Sequence, residues 1–191
     1  MNNATKQQVL MGARRCFFQH GYSASNMTLI SQYAGYSRVT VHKHLRNKDD
    51  AFRQVCENFQ QQATELCQPI VQNPDLDCWH ALEAIMIIWL TPTFEEVSDE
   101  QVMGDLKYHA QTVAKDIFDQ ARDNIIAMCD VVLTQAIADK SIQLDGVAMG
   151  TKQLASIMIA SLDGVRGHMP NHAVKSACEA ILRVYQQATK C

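Results

Sequence analysis

The chain has 191 residues, 17 of them Lys or Arg and 20 Asp or Glu, with 47% hydrophobic and 19% charged residues. That balance is too apolar and too evenly charged for a disordered chain, and eight glycines and four prolines are too few for a collagen-like or loop-rich β scaffold. The most apolar run, Ala84 to Leu90, is far short of the ~20 residues a membrane helix needs, and the polar N-terminus is unlike a secretory signal, so a soluble, cytoplasmic protein without a membrane partner is expected.

Nearly every segment reads as helix. Val9, Ala13, Cys16, Phe17 and His20 share one helical face, and Gly21 is expected to end that helix. Ser25 or Asn26 can cap a short second helix bearing Met27, Ile30 and Tyr33 or Ala34, which stops at Gly35. Ser37 can cap a third, from Arg38 to about Leu45. From Asn47, the spacing of Phe52, Val55, Cys56, Phe59, Ala63, Leu66, Cys67 and Ile70 predicts a longer helix.

Pro69 and Asn73-Pro74-Asp75 mark a seam. Beyond it, Leu76 to Leu90 reads as a buried helix, Thr91-Pro92-Thr93 as a break, and Asp99 to His109 as a helix weakened at Gly104. One long amphipathic helix is expected over about 111–138, then two more over about 147–168 and 172–189, split by Met169-Pro170-Asn171. No stretch alternates in the manner of a strand, and the fold class is all-α.

Charge divides the chain. Residues 1–55 carry eight basic and two acidic side chains, a balance of +6; the remaining nine basic and 18 acidic side chains give −9. A basic head on an acidic body suits a polyanion-binding module whose companion stays off the polyanion. Seven cysteines, an odd number without any CxxC, argue against a disulfide framework and for buried thiols.

The run Ile30-Ser31-Gln32-Tyr33-Ala34-Gly35-Tyr36-Ser37-Arg38-Val39-Thr40-Val41 meets the requirements of a helix-turn-helix. Ser31 is small enough for a close crossing, Gly35 accepts positive φ, and Ser37 restarts the chain. Ile30, Tyr36 and Val41 are spaced to bury the junction. An ordinary helical hairpin would share part of this pattern.

Phe17 to Phe52 resembles the DNA-binding domain of TetR-type bacterial repressors. The likeness rests on Phe17/Phe18, Gly21-Tyr22, Ser25, Ile30-Ser31, Ala34-Gly35-Tyr36-Ser37, Thr40-Val41-His42-Lys43-His44-Leu45 and Asn47-Lys48, in order and at the family's spacing. His42 stands where the family usually has Tyr, Leu45 where it has Phe, and Ala51 where it has Leu. The resemblance implies a three-helix helix-turn-helix domain over 1–46 and a connecting helix over 47–72. A larger ligand-binding and dimerisation domain would then cover 73–191.

Site residues follow from that frame. Arg38, Val39, Thr40 and Lys43 lie at the start and outer face of the recognition helix, where base edges are met. Ser37 opens that helix. Lys48, in the first turn of the fourth helix, is expected on phosphate, with Thr28, His42 and His44 as further phosphate candidates. For a small-molecule effector the resemblance points to helices carrying Met86, Trp89, Tyr108, Phe118 and Met128. The last two helices, Met149 to Gly167 with the small residues Ala155, Ala160, Ser161 and Gly164 and then Val174 to Tyr185, suit the close packing of a homodimeric four-helix bundle.

The expectation is a ligand-responsive transcriptional repressor released from a palindromic double-stranded DNA operator by a small molecule. The alternative is an α-helical carrier or scaffold without a DNA target. No enzyme is expected, since GxSxG, HExxH, Walker and dinucleotide fingerprints are absent. No metal or cofactor is expected either: His42 and His44 are not an i, i+4 pair, and His168 and His172 straddle Pro170.

Overall fold

The computed structural model describes residues 3–90, 96–146, 148–168 and 171–190. Among these, all regular structure is helical: α1 (Asn3–Ala24), α2 (Met27–Ala34), α3 (Arg38–His44), α4 (Lys48–Val71), α5 (Cys78–Leu90), α6 (Glu100–Val113), α7 (Lys115–Ala138), α8 (Thr151–His168) and α9 (Asn171–Ala188). No described helix is long and apolar enough to cross a membrane.

The helix starts are set by short polar side chains. Asn26 Oδ1 accepts from Leu29 N at 2.9 Å, so Asn26 rather than Ser25 caps α2. The Ser25 hydroxyl turns inward instead and donates to the Gly21 carbonyl at 2.5 Å. Ser37 Oγ accepts from Thr40 N and Asn47 Oδ1 from Asp50 N, capping α3 and α4. Asp77 Oδ2 takes Trp79 N and His80 N, which delays α5 to Cys78 rather than Leu76. Gly35, at φ 72 and ψ 22, ends α2 in the left-handed conformation.

Gly21, at φ 77 and ψ 173, breaks the first helix where the sequence places its end, and the residues to Ala24 form a short turn beyond that kink. Two other boundaries differ from the sequence expectation. Pro69 lies inside the last turn of α4 and does not stop it, and Gln72 N still reaches Gln68 O at 3.1 Å. The long helix expected over 111–138 is two, broken at Ala114 (φ −124, ψ 20). A tertiary partner explains that break. Arg53 Nη1 donates to the Val113 carbonyl at 2.8 Å, which a continuous helix would have given to Ile117 N, and the guanidinium also grips both Asp116 carboxylate oxygens at 2.6 Å.

The described residues form two compact units. The first comprises those of 1–61 and 93–119, with a core of Phe17, Ile30, Val41, Leu45, Phe52 and Leu106 among others. Gly12 permits its tightest helix crossing: a Cβ there would come 2.4 Å from Ala34 Cα. This unit differs from the division at 46 and 72 read from the sequence, because α6 folds back onto α1 and contributes Leu106 and Ala110 to the same core.

The second unit, of 62–92 and 120–191, packs α5, α8, α9 and the rest of α7 around Leu82, Ile85, Leu133, Met158 and Leu162. Arg122 pairs with Asp163 at 2.7 Å to join α7 to α8, and the Ser161 and Tyr185 hydroxyls meet at 2.9 Å between α8 and α9. Cys16, Cys56, Cys67, Cys78, Cys129 and Cys178 are free and buried; Cys191 lies outside the described residues. Burial pushes the Cys56, Cys78 and Cys129 thiols up to about 12. They are protonated and inert at neutral pH.

The Arg53 guanidinium holds the Asp116 carboxyl down to about 2. A carboxylate depressed on folding lends stability that is complete above the ordinary carboxylate range and is lost as pH falls through its folded value. Asp116→Asn should therefore lower stability at neutral pH and flatten its decline between about pH 4 and pH 2. Urea unfolding of both proteins at neutral and acidic pH measures this; equal acid sensitivity would show that the pair contributes nothing. The effect is modest, because the Asp116 side chain is 70% exposed.

Candidate nucleic-acid interface

The α2–turn–α3 segment is held from inside. Ile30, Val41 and Leu45 are fully buried in the first core, so α3 can turn only one face outward. Arg38, Val39, His42 and Lys43 are exposed on it, Val39 to 69%. Thr40 and His44 are half-buried. Ser37 and Thr40 spend their hydroxyls on each other at 3.0 Å and on the cap. His42 donates Nδ1–H to the Arg46 carbonyl at 3.1 Å, which leaves Nε2 for an outside partner. Thr28 is exposed in the first turn of α2.

Neighbouring contacts fix this segment to the rest of the unit. Tyr36 donates its hydroxyl to Gln8 Oε1 on α1, and Arg15 Nη2 donates to the Tyr33 carbonyl at 2.8 Å. His20 and the Tyr33 hydroxyl meet at 2.7 Å. The orientation of α3 is thereby set against α1 and α2 through polar contacts as well as through the core.

Lys48 differs from a free surface lysine. Its ammonium donates to the Tyr22 carbonyl at 3.2 Å and lies 4.2 Å from the centre of the Tyr22 ring. The Tyr22 hydroxyl donates to Asp49 Oδ1 at 2.5 Å. Burial and the Asp49 carboxylate both raise the Tyr22 pKa, so the ring stays a neutral phenol. Arg46 is exposed beside Lys48 and was not singled out from the sequence. The signal for it was the +6 balance of residues 1–55.

The five effector candidates divide between the two units. Met86 and Trp89 on α5 are buried in the second core, and Met128 packs against it. Phe118 packs against the first core instead. Tyr108, on α6, is 63% exposed in that same unit. The cause is the fold-back of α6 and the start of α7, which moves both residues out of the second unit. Among the described residues no group of three His, Cys, Asp or Glu side chains is placed to hold a metal. The His168 and His172 side chains lie outside the described set.

Comparison with known proteins places this geometry. Residues 9–55 match the family model described as bacterial regulatory proteins, tetR family. Over 49 residues the chain is 41% identical to the HTH-type transcriptional repressor Rv1474c of Mycobacterium tuberculosis, covering 26% of each protein. Over 113 residues it is 26% identical to the HTH-type transcriptional repressor AcnR of Corynebacterium diphtheriae, covering 52% of this chain and 60% of that one. The matched region thus spans between a quarter and three-fifths of these relatives.

Likeness of fold extends further. A putative TetR-family regulator from Mesorhizobium loti superposes with a TM-score of 0.75 at 13% identity, covering 98% of both chains. SmeT, the repressor of the Stenotrophomonas maltophilia multidrug efflux pump SmeDEF, does so with a TM-score of 0.72 at 19% identity, covering 99% of this chain and 92% of that one. The family's domain is thus matched over residues 9–55, and beyond it the helical fold is shared with solved TetR-family regulators.

Proposed function

We propose that the protein is a ligand-responsive transcriptional repressor, acting in the cytoplasm as a homodimer on a palindromic operator and released from it by a small molecule. The observation that carries this reading is the outward face of α3: Arg38, Val39, His42 and Lys43 stand exposed on a helix whose inner face is locked by Val41 and Leu45. A short helix with a fixed inner face and a polar, cationic outer face suits the major groove. Arg38 is suited to bidentate pairing with guanine, and Lys43, Lys48, His42, His44 and Thr28 to phosphates. A carrier protein would have no use for such a face.

Sensing and dimerisation fall to the second unit in this reading, and none of the chain's residues performs catalysis. The SmeT–triclosan complex, of the same fold, shows a small molecule bound to such a protein. Met86, Trp89 and Met128 are the candidates that remain in one core. Helix α4 belongs to both units, up to Gln61 in one and from Gln62 in the other, and so gives a covalent route between ligand and DNA. On α8 and α9, Ile157, Ala160 and Val184 are exposed in the single chain, as a bundle with a second copy requires.

Titration of duplex DNA at rising salt tests the reading. Six or more phosphate contacts per dimer predict a slope of log K against log salt of about −5 or steeper. Salt-independent association would overturn it. Arg38→Ala should cost roughly 1–3 kcal/mol of base discrimination on a selected operator, and unchanged sequence preference would return Arg38 to backbone contact.

Ala160→Glu should yield a monomer with intact helix content and greatly weakened operator binding. Light scattering reads the mass and circular dichroism the helix content. A dimer that survives this substitution would put the interface elsewhere.

A further inference from the structure

The Tyr22 ring, which carries the Lys48 ammonium, is itself held by α6. His109 stacks on it with ring centres 4.0 Å apart and planes 24° from parallel. Its Nδ1–H donates to the Asp105 carbonyl at 2.9 Å, which fixes the imidazole one helical turn from Asp105. The Asp105 carboxylate grips the turn on the other side of Tyr22. It accepts from Ser23 N at 2.9 Å and from the Ser23 hydroxyl at 2.5 Å. It lies so close to Gly21 that a Cβ there would come 2.6 Å from Oδ2.

Burial alone would raise the Asp105 carboxyl, but the Ser23 hydrogen bonds and the nearby His109 outweigh it and leave it below its ordinary value. Asp105 therefore stays ionised and keeps accepting. Gly21, Tyr22 and Ser23 are thus clasped between two side chains of α6, and Lys48 rests on the clasped residue.

From this geometry we propose that His109 is a positioning residue for Lys48 at the DNA backbone, acting through the Tyr22 ring. The proposal rests on the assignment of Lys48 to phosphate. An ammonium has three donors. One is taken by the Tyr22 carbonyl, and the Tyr22 ring lies against the group by a cation–π contact, so the direction of the remaining two depends on where that ring stands. Phe17 and Phe52 hold the ring from the core, with centres 6.1 and 5.1 Å away. His109 adds the α6 side of the support. Without it the ring keeps Phe17, Phe52 and the Asp49 hydrogen bond but loses the support on its α6 side, so its tilt, and with it the ammonium's direction, is set less tightly.

The test is the salt dependence of binding to mixed-sequence duplex DNA by the full chain. Removing one phosphate contact makes the slope shallower by about 0.9, so about 1.8 for a dimer. Lys48→Met sets the reference change. His109→Leu, which fills the space without a ring to stack, should make the slope shallower by the same amount, and His109→Phe should restore it. In the double variant the two changes should not add. A wild-type slope in His109→Leu, with a shallow one in Lys48→Met, overturns the positioning role and leaves Lys48 on phosphate. A wild-type slope in Lys48→Met removes Lys48 from the phosphate contacts and this inference with it. Salt-independent binding by the wild type would be the separate failure of DNA recognition itself. A global loss of stability alone lowers the active fraction without changing the slope, and such a result in His109→Leu also overturns the proposal.

Discussion

An edge-to-face cluster of three rings ties the first unit together. Phe17 on α1 meets Phe52 on α4 with ring centres 5.2 Å apart at 80°, and Tyr22 meets Phe52 at 5.1 Å and 70°. Such contacts add about 0.5–1.5 kcal/mol per pair beyond the area they bury, and they impose angles that aliphatic packing would not. The entry of α4 is therefore fixed relative to the end of α1. Lys48, proposed for the DNA backbone, inherits its position from that arrangement through Tyr22. Arg14 extends the same aromatic layer outward, lying 4.6 Å from the Phe59 ring centre while pairing with Glu96 at 2.7 Å.

The helix-turn-helix was legible because its requirements are local. Gly35 needs positive φ, Ser37 and Asn47 cap, and Val41 and Leu45 repeat at helical spacing; each is decided by residues within one turn. The fold-back of α6 was not legible, because its causes lie far apart in sequence. Arg53 breaks the helix at Ala114 across about sixty residues, and Asp105 reaches Ser23 across eighty-two. Nothing in the run Gln111 to Ile117 announces a break, since Ala114 is a good helix former. The same long-range contacts explain why Tyr108 and Phe118 were grouped with Met86 and Trp89 by helix position and yet lie in the first unit, Phe118 against its core and Tyr108 exposed. Gly12 was missed for a related reason: its role is defined by the Ala34 backbone opposite it, not by its neighbours.

The charge division does not coincide with the two units: residues 1–61 and 93–119 together carry ten basic and ten acidic side chains, seven of the acidic ones on 93–119. The positive character is local to α3 and the start of α4, where Arg38, Lys43, Arg46 and Lys48 lie. On the proposed reading these cations attract duplex DNA, and the attraction weakens as salt shortens the screening length, to about 8 Å at physiological ionic strength.

Helix α3 has only seven residues, fewer than two full turns, and derives its stability from the Ser37 cap and from Val41 and Leu45 beneath it. Its exposed positions contribute almost nothing to folding. Arg38, Val39 and Lys43 can therefore be exchanged with little effect on the core, while any change at Val41 is felt there at once. On the proposed reading, duplicated copies of such a gene can drift to new operators one outward side chain at a time. Each step leaves the scaffold intact, so descendants of one regulator can come to control unrelated genes.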